Sequence, residues 1–256
     1  MTKKKVLLVG ETWVSSATHY KGFDQFGSVT FHSGAKAMIA ALEGSDFVLT
    51  HLPAHQAAED LPFTKEDLNE YDVILLSDIG ANTLLLHPDV WLHSKTVPNR
   101  LNVLRDWTAE GGALAMFGGY FSFQGIDGKA RWHRTAVEQA LPVHCLPFDD
   151  RIEVPEGFHP QIVAGQSSHP ILDGITGPWP YLLGANEVIV KEGATVLARL
   201  PAEQGGYPLL VTGRYQKGRT LVWTSDISPH WLPQSFIDWP GYKQLLINML
   251  NWLTAR

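Results

Sequence analysis

Asp72-Val73-Ile74-Leu75-Leu76-Ser77-Asp78 sets four apolar residues in succession between polar ends. A strand with one solvated face alternates apolar and polar residues, so a run without alternation marks a strand covered on both faces, as at the centre of a parallel sheet. Val6-Leu7-Leu8-Val9-Gly10, Phe47-Val48-Leu49-Thr50 and Ala113-Leu114-Ala115-Met116-Phe117-Gly118 carry the same pattern to either side of it. Between the runs lie helical spacings. Met38, Ile39 and Leu42 fall on one face of Ala35–Leu42, with Gly44 as a stop, and Leu101, Leu104, Trp107 and Thr108 on one face of Pro98–Glu110. Strand and helix in alternation require crossover connections, hence a doubly wound parallel sheet with helices on both sides.

After Leu141 the pattern changes. Arg151–Val154 and Gln161–Ala164 read as short strands, and Tyr207–Tyr215 and Arg219–Thr224 read as a hairpin around Gln216-Lys217-Gly218. Tyr242, Leu245, Leu246, Met249, Leu250 and Leu253 predict a terminal helix over Pro240–Leu253. No linker or repeat interrupts the chain, so the expectation is one domain over 1–256, with an antiparallel elaboration in the C-terminal half.

Composition excludes several classes. At 45% hydrophobic residues the chain can bury enough surface to offset its conformational entropy, which rules out disorder. A single cysteine, Cys145, allows neither an intrachain disulfide nor a cysteine-rich zinc module. A formal charge of -6 argues against a general nucleic-acid surface. The basic start Met1-Thr2-Lys3-Lys4-Lys5 precedes only a short apolar run, less than the roughly 7–15 residues of a signal peptide. No stretch reaches the roughly 18 apolar residues of a membrane span. These features predict a cytoplasmic protein with no nucleic-acid or membrane partner, and leave a homo-oligomer open.

In an open α/β sheet, ligands bind beyond the carboxyl ends of the strands. The residues there are Glu11 and Trp13, then Asp78 and Asn82, then Gly118, Gly119, Tyr120 and Ser122, and finally Asp226 and His230. Acids and hydroxyls at strand ends also cap helices, so no single one identifies a site. Gly118-Gly119 permits close backbone approach or a nest of N–H groups, or simply a tight turn. The chain has no G-x-S-x-G elbow, dinucleotide fingerprint or P-loop, and no cofactor is implied. No metal site is expected: Pro53 separates His51 from His55, and Asp149-Asp150-Arg151 reads as an ion-paired turn.

Gly10–Ser15, Leu75–Thr83, Gly111–Tyr120, Ser168–Leu172 and Gly218–Asp226 together resemble the class I glutamine amidotransferase-like proteins, in particular a bacterial branch related to trehalose-utilisation-like proteins. The resemblance implies a flavodoxin-like three-layer α/β/α sandwich with a mostly parallel sheet. It also implies an elbow cysteine activated by a later histidine and glutamate. Here Gly118-Gly119-Tyr120-Phe121-Ser122 puts Tyr120 where the cysteine belongs, and the strand ending in Thr224-Ser225-Asp226 meets no histidine before His230. Cys145 sits between Pro142 and Pro147 without flanking glycines and reads as a buried, inert thiol.

Three readings stay open. One is a protein without glutaminase chemistry that keeps a pocket for a small polar metabolite, sugar-like or carboxylated, lined by Glu11, Trp13, Asp78, Asn82, Gly118, Gly119 and Tyr120 with Asp226. The second is a hydrolase or isomerase in which Ser122, Asp226 and His230 supply nucleophile, orienter and base, with Tyr120 as a further acid. The third is a non-catalytic subunit of a larger assembly.

Overall fold

The computed structural model describes residues 3–255, so Met1 and Thr2 of the basic N-terminal tail lie outside the described residues. In chain order the elements are β1 (Lys4–Gly10), β2 (Thr12–Lys21), β3 (Asp24–Ser33), α1 (Lys36–Leu42), β4 (Phe47–Pro53), α2 (Ala54–Asp60), α3 (Lys65–Leu68), β5 (Val73–Ser77), α4 (Ala81–Leu85), α5 (Pro88–Trp91), α6 (Arg100–Ala109) and β6 (Ala113–Phe117). There follow α7 (Ala136–Ala140), β7 (Val143–Cys145), β8 (Arg151–Phe158), β9 (Gln161–Ile162), β10 (Leu182–Asn186), β11 (Val188–Val190), β12 (Thr195–Arg199), β13 (Pro208–Tyr215), β14 (Gly218–Trp223), α8 (Gln234–Ile237) and α9 (Pro240–Thr254).

The main sheet runs β4-β1-β5-β6-β14-β13-β12-β9. Its first five strands are mutually parallel, and the last three join as antiparallel neighbours. This is the three-layer α/β/α sandwich with a C-terminal antiparallel elaboration. The apolar runs explain it residue by residue. Val6, Leu8, Val73, Leu75, Ala115 and Phe117 face a core shared with α1 and α9. Their neighbours Leu7, Val9, Ile74, Leu76, Leu114 and Met116 face the opposite core, beneath α2, α4, α6 and α7. Each strand therefore feeds two cores, and a polar substitution within the buried runs Val6–Val9, Val73–Leu76 and Ala113–Phe117 has no solvent to meet.

The structure also corrects the sequence reading. Gln161–Ala164 is strand only at Gln161–Ile162, and Arg151–Val154 extends to Phe158. The predicted helix over Pro98–Glu110 starts at Arg100, because Asn99 caps it by accepting the Leu101 and Asn102 N–H groups. The largest omission is β2 and β3, an antiparallel hairpin spanning Thr12–Ser33. Nearly all of its side chains face solvent on both sides, so no inside-outside alternation marks it in the sequence.

On the α6 side, Arg100 is fully buried. It donates to the Leu84 carbonyl at 2.7 Å, to the Ala58 carbonyl at 2.8 Å, and to the Ala57 and Leu61 carbonyls at 3.2 and 3.3 Å. Burial lowers its pKa to about 10, which still leaves it charged at neutral pH. The guanidinium lies 4.7 Å from the Phe63 ring centroid and ties the ends of α2 and α4 to the start of α6. Arg100→Met would fill the same space and strand these carbonyls. The expected loss is about 2–4 kcal/mol, read as a lower urea midpoint with an unchanged m-value.

Candidate functional site

Five parallel strands end at one edge, and the residues that follow them meet there. Glu11 follows β1 with φ +57°, and Asp78 follows β5 with φ +43°. A left-handed backbone is costly for glutamate and milder for aspartate, whose short polar side chain makes local hydrogen bonds. Both carboxyls turn inward as a result. The Ser77 hydroxyl donates to Glu11 Oε1 at 2.5 Å, and Asp78 Oδ1 accepts the Phe121 N–H at 2.7 Å. From beyond β14, Asp226 Oδ2 lies 3.0 Å from His230 Nδ1. The Tyr120 ring meets His230 edge-on with centroids 4.1 Å apart, under the Arg151 guanidinium.

These groups line a cavity of about 390 Å3, formed by Glu11, Trp13, Val14, Asp78, Tyr120, Phe121, Asp226, Ser228, Pro229 and His230. Trp13 and Phe121 each expose 41% of their surface at its rim. Burial, with the Asp226 and Asp78 charges nearby, raises the Glu11 carboxyl well above the usual range. Burial and the Asp226 charge push Asp78 up to about 6. Burial opposes a charged His230, but the Asp226 hydrogen bond and charge outweigh it, with Glu153 and Asp78 adding to them, and the imidazole pKa is raised. The cavity thus gathers three carboxyl groups and one imidazole, with donors and acceptors interleaved. Among the described residues no group of three or more His, Cys, Asp and Glu is placed to hold a metal ion.

The structure brings together Glu11, Trp13, Asp78, Tyr120, Asp226 and His230, and places four other candidates elsewhere. Asn82 is exposed on α4. Ser122 is buried, and its Oγ accepts the Asp78 N–H at 3.0 Å, so the hydroxyl holds the Asp78 turn rather than lining the cavity. Gly118 and Gly119 lie behind the wall with their N–H groups spent, on the Trp223 carbonyl at 2.7 Å and on Asn186 Oδ1 at 3.0 Å. A Cβ on Gly118 would stand 2.1 Å from the Thr224 carbonyl oxygen, so the glycine serves close packing of β6 against the end of β14. No free pair of elbow N–H groups is left to form an oxyanion hole there. Val14, Phe121, Ser228 and Pro229 escaped the sequence reading. The last three fall within strand-end segments, but nothing in their residue types distinguishes them from loop packing.

Behind the wall a buried clamp fixes the loop. Asn186 Nδ2 donates to the Gly119 carbonyl at 3.2 Å and to Asp150 Oδ1 at 2.8 Å, and Asp150 accepts the Gln124 and Gly125 N–H groups at 2.7 and 2.9 Å. Asp150 therefore departs from the expected ion-paired turn. Of the two aspartates only Asp149 pairs with Arg151, at 2.7 Å. Cys145 is buried on β7, where burial and the Glu138 and Asp150 charges raise its thiol pKa.

The family model described as "Putative glutamine amidotransferase" matches residues 5–255. Two solved structures from Salmonella typhimurium are similar over almost their whole length. Cytoplasmic protein STM1381 from strain LT2 is 39% identical, with TM-score 0.92, covering 98% of this chain and 100% of that one. Cytoplasmic protein STM3548 is 37% identical, with TM-score 0.92, covering 98% and 99%. A thua-like protein from Bacteroides uniformis shares the fold at 13% identity, with TM-score 0.58, over 98% of this chain and 91% of that one. No match is found among curated proteins.

An acid whose pKa is raised on folding opposes folding once it ionises. For Asp78 the penalty is absent below the unfolded value near 3.8, grows as pH rises, and is complete above about 6. Asp78→Asn keeps an oxygen for the Phe121 N–H and tolerates the positive φ. It is expected to melt a few degrees above wild type at pH 8, at roughly 2–4 °C per kcal/mol, and to lose that advantage near pH 4 in a thermal-melt series.

Proposed function

The chain belongs to the glutamine amidotransferase-like family, and from that premise we propose that it does not hydrolyse glutamine but binds a neutral, polyhydroxylated small molecule at the carboxyl edge of its sheet. The observation that carries this reading is the convergence of Glu11, Asp78, Asp226 and His230 on one cavity whose rim is aromatic. Carboxylates accept paired hydroxyl hydrogen bonds, while exposed faces such as Trp13 stack on the C–H face of a sugar-like ring. The same acids repel a carboxylated ligand, which favours the sugar-like alternative. A volume near 390 Å3 suits a small metabolite. The thiol of Cys145 is remote from this chemistry by burial, and Tyr120 occupies the elbow. Cytoplasmic placement belongs to the same reading, supported by the names of the two Salmonella proteins.

The displaced pKa values favour a second reading, in which the bound molecule undergoes proton transfer. A Glu11 carboxyl raised by burial and a His230 imidazole raised by the Asp226 hydrogen bond and charge, which outweigh its burial, put candidate acid and base groups at one site, the pairing that general acid-base catalysis needs. Ser122 has no part in it, so the chemistry does not run through a serine nucleophile.

Ammonia release from glutamine is expected at blank level for wild type and Cys145→Ala alike; thiol-dependent release defeats the proposal. In a thermal-shift panel, neutral polyols should stabilise the protein where their carboxylated analogues do not. Trp13→Ala should weaken binding about 2–10-fold, the worth of one aromatic stack. Binding should peak between the Asp78 value of about 6 and the raised value of His230. Below the window Asp78 takes up a proton, above it His230 loses one, and His230→Gln should remove the alkaline limb of the profile and shift the acid limb upward, since the His230 charge lowers the Asp78 pKa.

A further inference from the structure

The β2–β3 hairpin stands apart from everything described so far. Its register runs without a bulge from Thr12 opposite Ser33 to Lys21 opposite Asp24, closed by the two-residue turn Gly22-Phe23. Two ten-residue strands carry it roughly 33 Å along the strand direction. Beyond its root it touches the body chiefly at α2, where Phe31 meets His55 edge-on. Val14, Tyr20, Phe23, Phe26, Val29 and Phe31 are all exposed. A lone two-stranded ribbon is marginal in water, and one this apolar on the outside marks an interaction surface. Soluble proteins blunt exposed strand edges with lysine, proline or bulges, and this arm has none of these before its tip.

We propose that the Thr12–Ser33 arm joins two copies of this chain, lying arm against arm about a two-fold axis. Charge points to a second copy. The chain carries -6 overall, so two copies repel, but the arm holds only Lys21 and Asp24, which face each other and cancel. Like copies therefore meet at the arm without like charges opposing one another. The arm is rooted at Glu11 and Gly34, whose N–H donates to the Glu11 carbonyl at 2.9 Å, so the partner lies beside the mouth of the cavity that Trp13 and Val14 line.

Sedimentation equilibrium on the full chain tests the proposal. Wild type is expected at twice 28.4 kDa. Tyr20→Asp and Val29→Lys, both exposed and on the ribbon face that also carries Val14 and Phe31, should each weaken the dimer at least about tenfold, with far-UV circular dichroism unchanged. A 28.4 kDa monomer at about 100 µM overturns the proposal and assigns the arm to a different protein. A dimer indifferent to both substitutions overturns it as well. Neither result bears on ligand binding in the cavity, so this inference and the proposed function fail separately.

Discussion

The Asn186 side chain holds Gly119 from both sides, accepting its N–H and donating to its carbonyl, while a second N–H of the same amide reaches Asp150. Asp150 in turn gathers the Gln124 and Gly125 N–H groups. This buried exchange joins the end of β10, from the later half of the chain, to the loop that leaves β6. Through that loop it sets Tyr120 against His230 and brings the Phe121 N–H and the Ser122 hydroxyl to Asp78. Burial raises Asp150 to about 6 despite its donors, so the clamp is made of groups that would gain from solvent if the loop opened. Its members satisfy one another closely enough to make a partial opening expensive.

The clamp also accounts for the difference between this edge and a glutaminase elbow. An oxyanion hole needs N–H groups that are fixed and unpaired. Here the loop is fixed because the Gly118, Gly119, Phe121 and Ser122 N–H groups are paired. The rigidity that could have served acyl transfer serves instead to aim side chains: Tyr120, Asp78 and the aromatic rim.

The central sheet was legible in the sequence because parallel strands must be apolar on both faces. Val73–Leu76 could satisfy two cores in no other way. The acids at strand ends were legible for a topological reason: chain direction alone delivers Glu11, Asp78 and Asp226 to one edge. The β2–β3 arm was not, since Trp13-Val14-Ser15-Ser16-Ala17-Thr18 meets nearly the same environment on both faces and so carries no alternation. Nor was the role of Ser122. A hydroxyl three residues past a glycine pair looks like a nucleophile, and only the tertiary approach of the Asp78 N–H, 44 residues away in sequence, shows it to be a brace. Asp150 misled similarly, because its neighbour Arg151 pairs with Asp149 and leaves it to the interior.

Glu11 adopts a left-handed backbone that glutamate enters at a cost of roughly 1–2 kcal/mol, and it buries a carboxyl that would be better hydrated. Glycine or asparagine would relieve the first burden and any small residue the second. Drift under selection for stability alone would therefore erode this position early. The identity of the residue aligned with Glu11 in any related chain is thus a sensitive marker of descent with retained purpose, more telling than the glycines beside it, which packing alone preserves.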